Sequence, residues 1–167
     1  RLELLKDGYI VPHSQYAGEV VKTGELLSAM GYFEQGIGFF LEALALTKDE
    51  YGEGPEYADI LVQAAKVYRS QGKSSEALRV YERAQEIYEL HKGKESAEYA
   101  GAAAALAVLY YDKKMYDKAL ECAEYLYRLN FARKEPMAGE SIEILKAIYM
   151  EKKELIKLAK VKMGLEI

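Results

Sequence analysis

Two histidines and one cysteine are the side chains of this sequence best suited to acid–base, nucleophilic or metal chemistry. His13 and His91 lie far apart, and neither has a second histidine or a cysteine at the spacing of a zinc site. Cys122 could act as a nucleophile only beside an activating base, and a small thiol among packed helices is more typical of a core position. The glycines recur at helix turns rather than forming a phosphate-binding loop. The sequence therefore predicts no catalytic residue, no metal site and no cofactor.

Composition narrows the remaining function classes. The 167 residues are 50% hydrophobic and 30% charged, which fits a single soluble, helix-rich domain. The net charge of −4 argues against nucleic-acid binding, which requires a basic surface. No apolar run approaches the roughly 18 residues of a membrane span. A single cysteine cannot form an internal disulfide, which favours an intracellular, reducing compartment, the cytoplasm by default, with an organelle left open.

The sequence repeats itself with a period close to 41 residues. Tyr68 ends an apolar segment whose pattern returns 42 residues later at Tyr110, and a shift of 41 residues in the other direction aligns Leu27 with Tyr68. A fourth, weaker copy aligns Tyr149 with Tyr110. Residues 1–15 precede the repeats and are expected to be the end of a truncated preceding helix, stopped at Pro12. The predicted repeats are residues 16–56, 57–98, 99–137 and 138–167, the last one degenerate and capping.

Each repeat predicts two helices. Leu61, Ala65 and Tyr68 share one helical face, and after the turn at Gly72 a second apolar stripe begins at Ala77. Small residues recur at one position of each first helix and one position of each second helix. A larger side chain there would hold the helix axes beyond their usual separation of about 8–10 Å. These positions are Gly24, Ala65 and Ala107 on first helices and Gly36, Ala77 and Ala119 on second helices.

This spacing of small and large residues resembles the tetratricopeptide repeat (TPR) family from Tyr16 to about Leu165. The steps are longer than the family's usual period of about 34 residues. Together with the link Glu53-Gly54-Pro55, they resemble the long repeats of kinesin light chains. The resemblance implies an all-α fold, a right-handed α-α superhelix (TPR solenoid) of about four helix-turn-helix repeats. It also implies a non-catalytic module that binds other proteins.

Several positions depart from the family pattern. The third copy carries Lys114 where the others have a turn glycine. Kinesin light chains hold peptide backbones with paired asparagines, whereas the matching pair in the second copy is Val62-Gln63. The basic clamp of the chaperone-tail-binding subtype is also absent, since Glu25 occupies one of its positions. Neither specificity carries over, so the identity of the partner stays open.

In this family the first helix of each pair lines a concave groove, so the resemblance implies that a peptide, helix or small domain of a partner protein binds there. The groove would be basic in its middle and acidic at its C-terminal end. Tyr111 is the expected aromatic anchor, because Tyr110 already occupies the packing side of its helix. For every candidate the alternative is a solvated helix face. The candidates are Lys22, Glu25, Gln63, Lys66, Arg69, Ser70, Val108, Tyr111, Asp112 and Glu143.

A structural role is the second hypothesis. The chain would then self-associate or brace other domains of a larger protein through the exposed face of its first helix pair. A related question concerns Lys152–Ile167, a segment that contains five lysines and only two glutamates. A basic amphipathic helix there could bind an anionic membrane. The second helix of the fourth repeat would instead act as a cap, and we favour this interpretation because terminal repeats need a polar outer face.

Overall fold

The computed structural model describes residues 3–6, 9–135, 139–151 and 154–167, and this part of the chain contains eight helices and two strands. Two compact units divide the chain, unit 1 at Arg1–Gly93 and unit 2 at Lys94–Ile167. Unit 1 contains β1 (Glu3–Lys6), β2 (Tyr9–Pro12), α1 (His13–Ala29), α2 (Phe33–Tyr51), α3 (Pro55–Ser70) and α4 (Ser74–Lys92). Unit 2 contains α5 (Ala97–Asp112), α6 (Tyr116–Arg133), α7 (Glu140–Glu151) and α8 (Leu155–Lys162).

The helices pack as consecutive pairs, as the repeat pattern predicts. In unit 1, α1 packs against α2 and α3 against α4, while α2 also packs against α3. In unit 2, α5 packs against α6 and α7 against α8, while α6 also packs against α7. The predicted all-α repeat class is thereby confirmed for the described helices.

The N-terminal segment differs from its prediction. The sequence predicts the end of a preceding helix in residues 1–15, but β1 and β2 pair as an antiparallel hairpin with Lys6 opposite Tyr9. Pro12 is the last residue of β2, and α1 follows it directly at His13. The hairpin signal that the helical interpretation overlooked is Asp7-Gly8, which lies between two short apolar runs.

A close helix crossing holds the first pair together. A Cβ atom built on Gly24 would lie 3.0 Å from the Gly36 carbonyl oxygen, and one built on Gly36 would lie 2.8 Å from the Gly24 carbonyl oxygen. The backbones of α1 and α2 are therefore in contact at this point. Alanines at the equivalent positions of the next two pairs have no exposed surface, as close helix crossings there would require. They are Ala65 and Ala77 in unit 1 and Ala107 and Ala119 in unit 2.

The turn inside each pair repeats one hydrogen bond. The Tyr32 amide donates to the Leu27 carbonyl, five residues earlier, at 2.8 Å, while Gly31 has a φ of 88°. Lys114 takes this left-handed position in the third turn with a φ of 59°, a conformation that costs about 1–2 kcal/mol for a residue with a Cβ atom. The same bond across five residues joins Lys73 to Tyr68, Met115 to Tyr110 and Glu154 to Tyr149. The last of these supports the alignment of the fourth copy.

The final helix packs its apolar side inward. Leu158 and Val161 of α8 are buried in the core cluster of unit 2, where they meet Tyr127 and Tyr149. On the outside, the Lys157 ammonium lies 2.9 Å from a Glu154 carboxylate oxygen. This arrangement supports the cap interpretation of α8. The apolar side chains that would insert into a membrane are instead buried in the core of unit 2. Over the described residues, no helix has the length and apolar character needed to cross a membrane.

Tyr149 joins the core of unit 2 to a charged group. Its ring has no exposed surface, and its hydroxyl donates a hydrogen bond to the Glu124 carboxylate on α6. Burial of the phenol and, after it, the hydrogen bond to Glu124 raise the pKa of Tyr149 above its ordinary value. The folded protein thus holds this proton more tightly than the unfolded chain does.

The crossing of α1 and α2 gives a test of packing with a control in the same helix. Gly36→Ala should lower the free energy of unfolding by about 1–3 kcal/mol, because the new methyl group meets backbone atoms that cannot move independently. Gly38→Ala should instead raise it by about 0.5–1 kcal/mol, since alanine is the better helix former and a Cβ atom at Gly38 meets nothing within 4 Å. Urea denaturation followed by circular dichroism measures both values. Equal effects of the two substitutions would contradict a close crossing at Gly36.

The environment of Tyr149 gives a test by pH. Tyr149→Phe should cost about 1.5–3 kcal/mol of unfolding free energy near neutral pH, because it removes a hydrogen bond to a charged group. Since the folded-state pKa is raised, the stability from this group is complete below the unfolded pKa of about 10 and is lost as the pH rises past it. Between neutral and strongly alkaline pH, the free energy of unfolding from denaturation curves should therefore fall less steeply for the variant than for the parent. Tyr51→Phe, at an exposed position, should follow the parent. Parallel curves for the parent and Tyr149→Phe would rule out the effect.

Candidate functional site

The candidate residues of unit 1 lie on its two first helices, α1 and α3, which contact each other. On α1, Lys22 and Glu25 are exposed, whereas their neighbours Val20 and Gly24 are buried. The Lys22 ammonium lies 3.8 Å from the Glu19 carboxylate one turn earlier. With both side chains largely exposed, this contact is weak and a partner could replace it.

On α3 the four candidates differ in their availability. Lys66 and Arg69 are exposed, and no carboxylate of the described residues pairs with either one. The Lys66 ammonium donates to the side-chain oxygen of the half-buried Gln63 at 3.2 Å. The Ser70 hydroxyl donates to the Val67 carbonyl at 2.8 Å, so its hydrogen is already used within the helix. Among these four candidates, Lys66 and Arg69 are therefore the two charges that no described carboxylate compensates.

The candidates of unit 2 lie on α5 and α7 and are more engaged. The Tyr111 ring is half-buried and meets the Tyr116 ring edge-on, with centroids 5.6 Å apart. Asp112 is exposed as the last residue of α5, and Val108 is half-buried one turn before it. Glu143 on α7 is exposed but pairs with Lys146 at 2.8 Å. Part of the predicted anchor surface of Tyr111 is thus used for packing inside the unit.

Unit 1 also contains a cavity that the sequence does not reveal. It has a volume of about 330 Å³ and lies between α1, α2 and α3. Val21 from α1, Leu46 from α2 and Ile60 from α3 contribute its apolar walls. Only Lys22 among the predicted site residues borders it. The small Ala17-Gly18 pair on α1 was the one available signal, because two small residues together leave space beside a helix.

The charged groups around this cavity are mostly acidic. Glu50, Glu56 and Asp59 line it together with a single cation, Lys22. The Asp59 carboxylate accepts a hydrogen bond from the Tyr88 hydroxyl at 2.6 Å, which fixes its position. Glu56 is exposed in the first turn of α3, where the helix dipole favours a negative charge. The cavity mouth is therefore suited to a cationic group.

A second cavity, of about 480 Å³, lies in unit 2 between α6 and the link before α5. Several of its polar groups contact one another. The Tyr125 hydroxyl donates to the Lys94 carbonyl, and the Arg128 guanidinium lies 3.0 Å from the Glu124 carboxylate. These contacts tie the link before α5 to α6, which is a structural role.

Across the ranges that the structure describes, no group of three or more histidine, cysteine, aspartate or glutamate side chains is placed to hold a metal ion. Cys122 lies half-buried within α6.

Comparison with known proteins agrees with the repeat pattern. Residues 22–90 match the family model of the tetratricopeptide repeat. Among solved structures, BtubC (BKLC) from P. vanneervenii is similar, with a TM-score of 0.74 and 20% identity over 90% of this chain. Two structures of a Podosopora anserina protein, named for kinesin light chain nearly identical TPR-like repeats, reach TM-scores of 0.73 and 0.72 at 15% identity. No protein of curated function matches.

These relatives are longer than the chain. It spans 61% of the BtubC chain and 73% and 74% of the two Podosopora anserina chains, while 90% of its own length is covered each time. At such low identity the likeness establishes the fold alone. The predicted resemblance is confirmed: residues 22–90 match the tetratricopeptide repeat model, and the chain has the fold of the TPR-like repeats named for kinesin light chains.

Proposed function

We propose that this chain is a non-catalytic interaction module that binds a peptide, helix or small domain of another protein on its first helices. TPR repeats in general are protein-interaction modules. The observation that carries the proposal is the state of Lys66 and Arg69. Both are exposed on α3 without a carboxylate partner among the described residues, whereas the opposite side of α3 is buried. Unpaired charges on a rigid helix suit the recognition of another surface.

The charges of α3 give the proposed interface a direction. Glu56 and Asp59 lie toward the N-terminal end of the helix, and Lys66 and Arg69 lie toward its C-terminal end. A partner that runs along α3 would therefore meet acidic groups first and basic groups afterwards. Electrostatic complementarity of this kind fixes orientation and raises the association rate more than it raises affinity.

Charge reversal on α3 tests the proposal. The double variant Lys66→Glu, Arg69→Glu should weaken binding of a partner captured by the parent at least about tenfold, which corresponds to about 1.4 kcal/mol. The control is Arg79→Glu with Lys162→Glu, which makes the same change in net charge at exposed positions of second helices. Affinity is measured by calorimetry, after circular dichroism has shown that both variants are folded. Unchanged affinity in the α3 variant would remove these residues from the interface.

One observation favours the alternative of self-association. Leu26 on α1 and Met30, the residue directly after α1, are each 62% exposed. Val67, which the repeat places at the position of Leu26, is buried on α3. α3 packs against α2, the second helix of the preceding pair. Among the described residues, no helix of a preceding pair packs against α1 in the same way. An exposed leucine and methionine one turn apart form an apolar surface that a second helix could cover.

Light scattering distinguishes this alternative from a monomeric module. Self-association through α1 predicts a mass that rises with protein concentration, and Leu26→Glu with Met30→Glu should return the mass to that of the monomer. The control Leu41→Glu changes an exposed leucine on α2 and should leave the association in place. A monomer mass at every concentration would reject self-association.

A further inference from the structure

The cavity of unit 1 has the size of a site for one side chain. Its volume of about 330 Å³ is at the lower end of the range of about 300–1,000 Å³ that is usual for ligand sites. Val21, Leu46 and Ile60 make its walls apolar, and Thr47 at its base is buried. A large aliphatic or aromatic side chain gains the most from such surroundings, because it leaves water and keeps no polar group unsatisfied.

Gly18 on α1 keeps one wall of the cavity open. A Cβ atom at this position would meet nothing within 4 Å, although Gly18 is among the residues that line the cavity. Gly24, six residues later, is different, because the Gly36 backbone approaches it closely. Packing against a neighbour therefore explains Gly24 but not Gly18. Glycine inside a helix costs about 0.5–1 kcal/mol relative to alanine, and here it leaves free the space into which a side chain would extend.

The carboxylates at the mouth determine which partner the cavity fits. Three carboxylates and one ammonium border it, which makes the site negative. Lys22 has Glu19 within 3.8 Å, so its charge is partly offset already. The carboxylate of Glu56 has no hydrogen-bond or ion-pair partner among the described residues, and its exposure leaves it accessible. An acidic partner segment would be repelled, whereas lysine or arginine beside the inserted side chain would pair with these groups.

We propose that this cavity receives one large apolar or aromatic side chain of the partner, from a segment in which lysine or arginine flanks that side chain. The inference rests on the proposed interaction function and specifies the chemistry of its partner. The inserted side chain contributes apolar contact with Val21, Leu46 and Ile60. The flanking cation contributes charge pairing with Glu56 and Asp59, which fixes the orientation of the segment along α3.

Short synthetic peptides test the proposal directly. The probe is acetyl-Arg-Ala-Phe-Ala-Arg-amide, compared with acetyl-Arg-Ala-Ala-Ala-Arg-amide and acetyl-Glu-Ala-Phe-Ala-Glu-amide. Methyl nuclear magnetic resonance spectra of the full chain report on Val21, Leu46 and Ile60 during each titration. We expect saturable shifts of these three methyl signals with the first peptide, and an affinity at least about tenfold lower for the other two. Equal binding of all three peptides would overturn the proposal, and so would equal binding of the two phenylalanine peptides.

Two matched glycine variants separate filling of the cavity from changes in the fold. Gly18→Leu adds a leucine side chain at a residue that lines the cavity, whereas Gly38→Leu makes the same chemical change on α2, where space is also open. Both replace a helix glycine, so both should keep or raise the thermal stability. Gly18→Leu should abolish the peptide-induced shifts and Gly38→Leu should retain them. Unaltered binding in Gly18→Leu would show that the peptide lies elsewhere.

A third comparison keeps this inference separate from the interaction function as a whole. Glu56→Lys should weaken binding of the peptide that carries phenylalanine between two arginines at least about tenfold. Lys66→Glu with Arg69→Glu should leave the affinity for this peptide unchanged. A chain that captures a partner through Lys66 and Arg69 but does not bind the phenylalanine peptide would overturn the cavity proposal alone. Loss of partner binding on filling the cavity would support it.

Discussion

The close crossing of the two helices in each pair is the constraint on which the rest of this structure depends. At Gly24 and Gly36 the backbones of α1 and α2 come so near that a methyl group on either glycine would press on the other helix. Fully buried alanines hold the same position in the next two pairs. Because each helix axis is fixed at this point, the faces of α1, α3 and α5 that point away from their partners are fixed as well. All candidate binding residues except Glu143, which lies on α7, are on these three helices.

The turn between the two helices of each pair has the same hydrogen bond in every copy. A bond from the residue after the turn to a carbonyl five residues earlier satisfies the end of each first helix and sets the direction of the second. The third turn achieves this with Lys114 rather than glycine. Ala107 and Ala119, the predicted crossing positions of this pair, are fully buried. The third turn thus contains a left-handed conformation that lysine adopts less readily than glycine.

The charges of α3 that carry the proposed interface also suit the helix itself. Acidic residues near the start of a helix and basic residues near its end interact favourably with the helix dipole. Glu56 and Arg69 follow this rule in the first and last turns. The same distribution presents a negative surface beside the cavity of unit 1 and a positive one two turns further on. A chain of net charge −4 can thus offer both signs of charge to one partner.

The sequence by itself determined the repeat period, the helix pairs and the crossing positions, because helical periodicity and the alternation of small and large residues are local properties. It also placed Lys66 and Arg69 on an outward face. Only the tertiary structure decided the rest. The hydrogen bond of Ser70, the ion pair of Glu143 and the ring contact of Tyr111 depend on side-chain directions. The cavity depends on the volumes of side chains from α1, α2 and α3 together. A space left between three helices has no pattern in any one of them, since it is set by the distances between their axes.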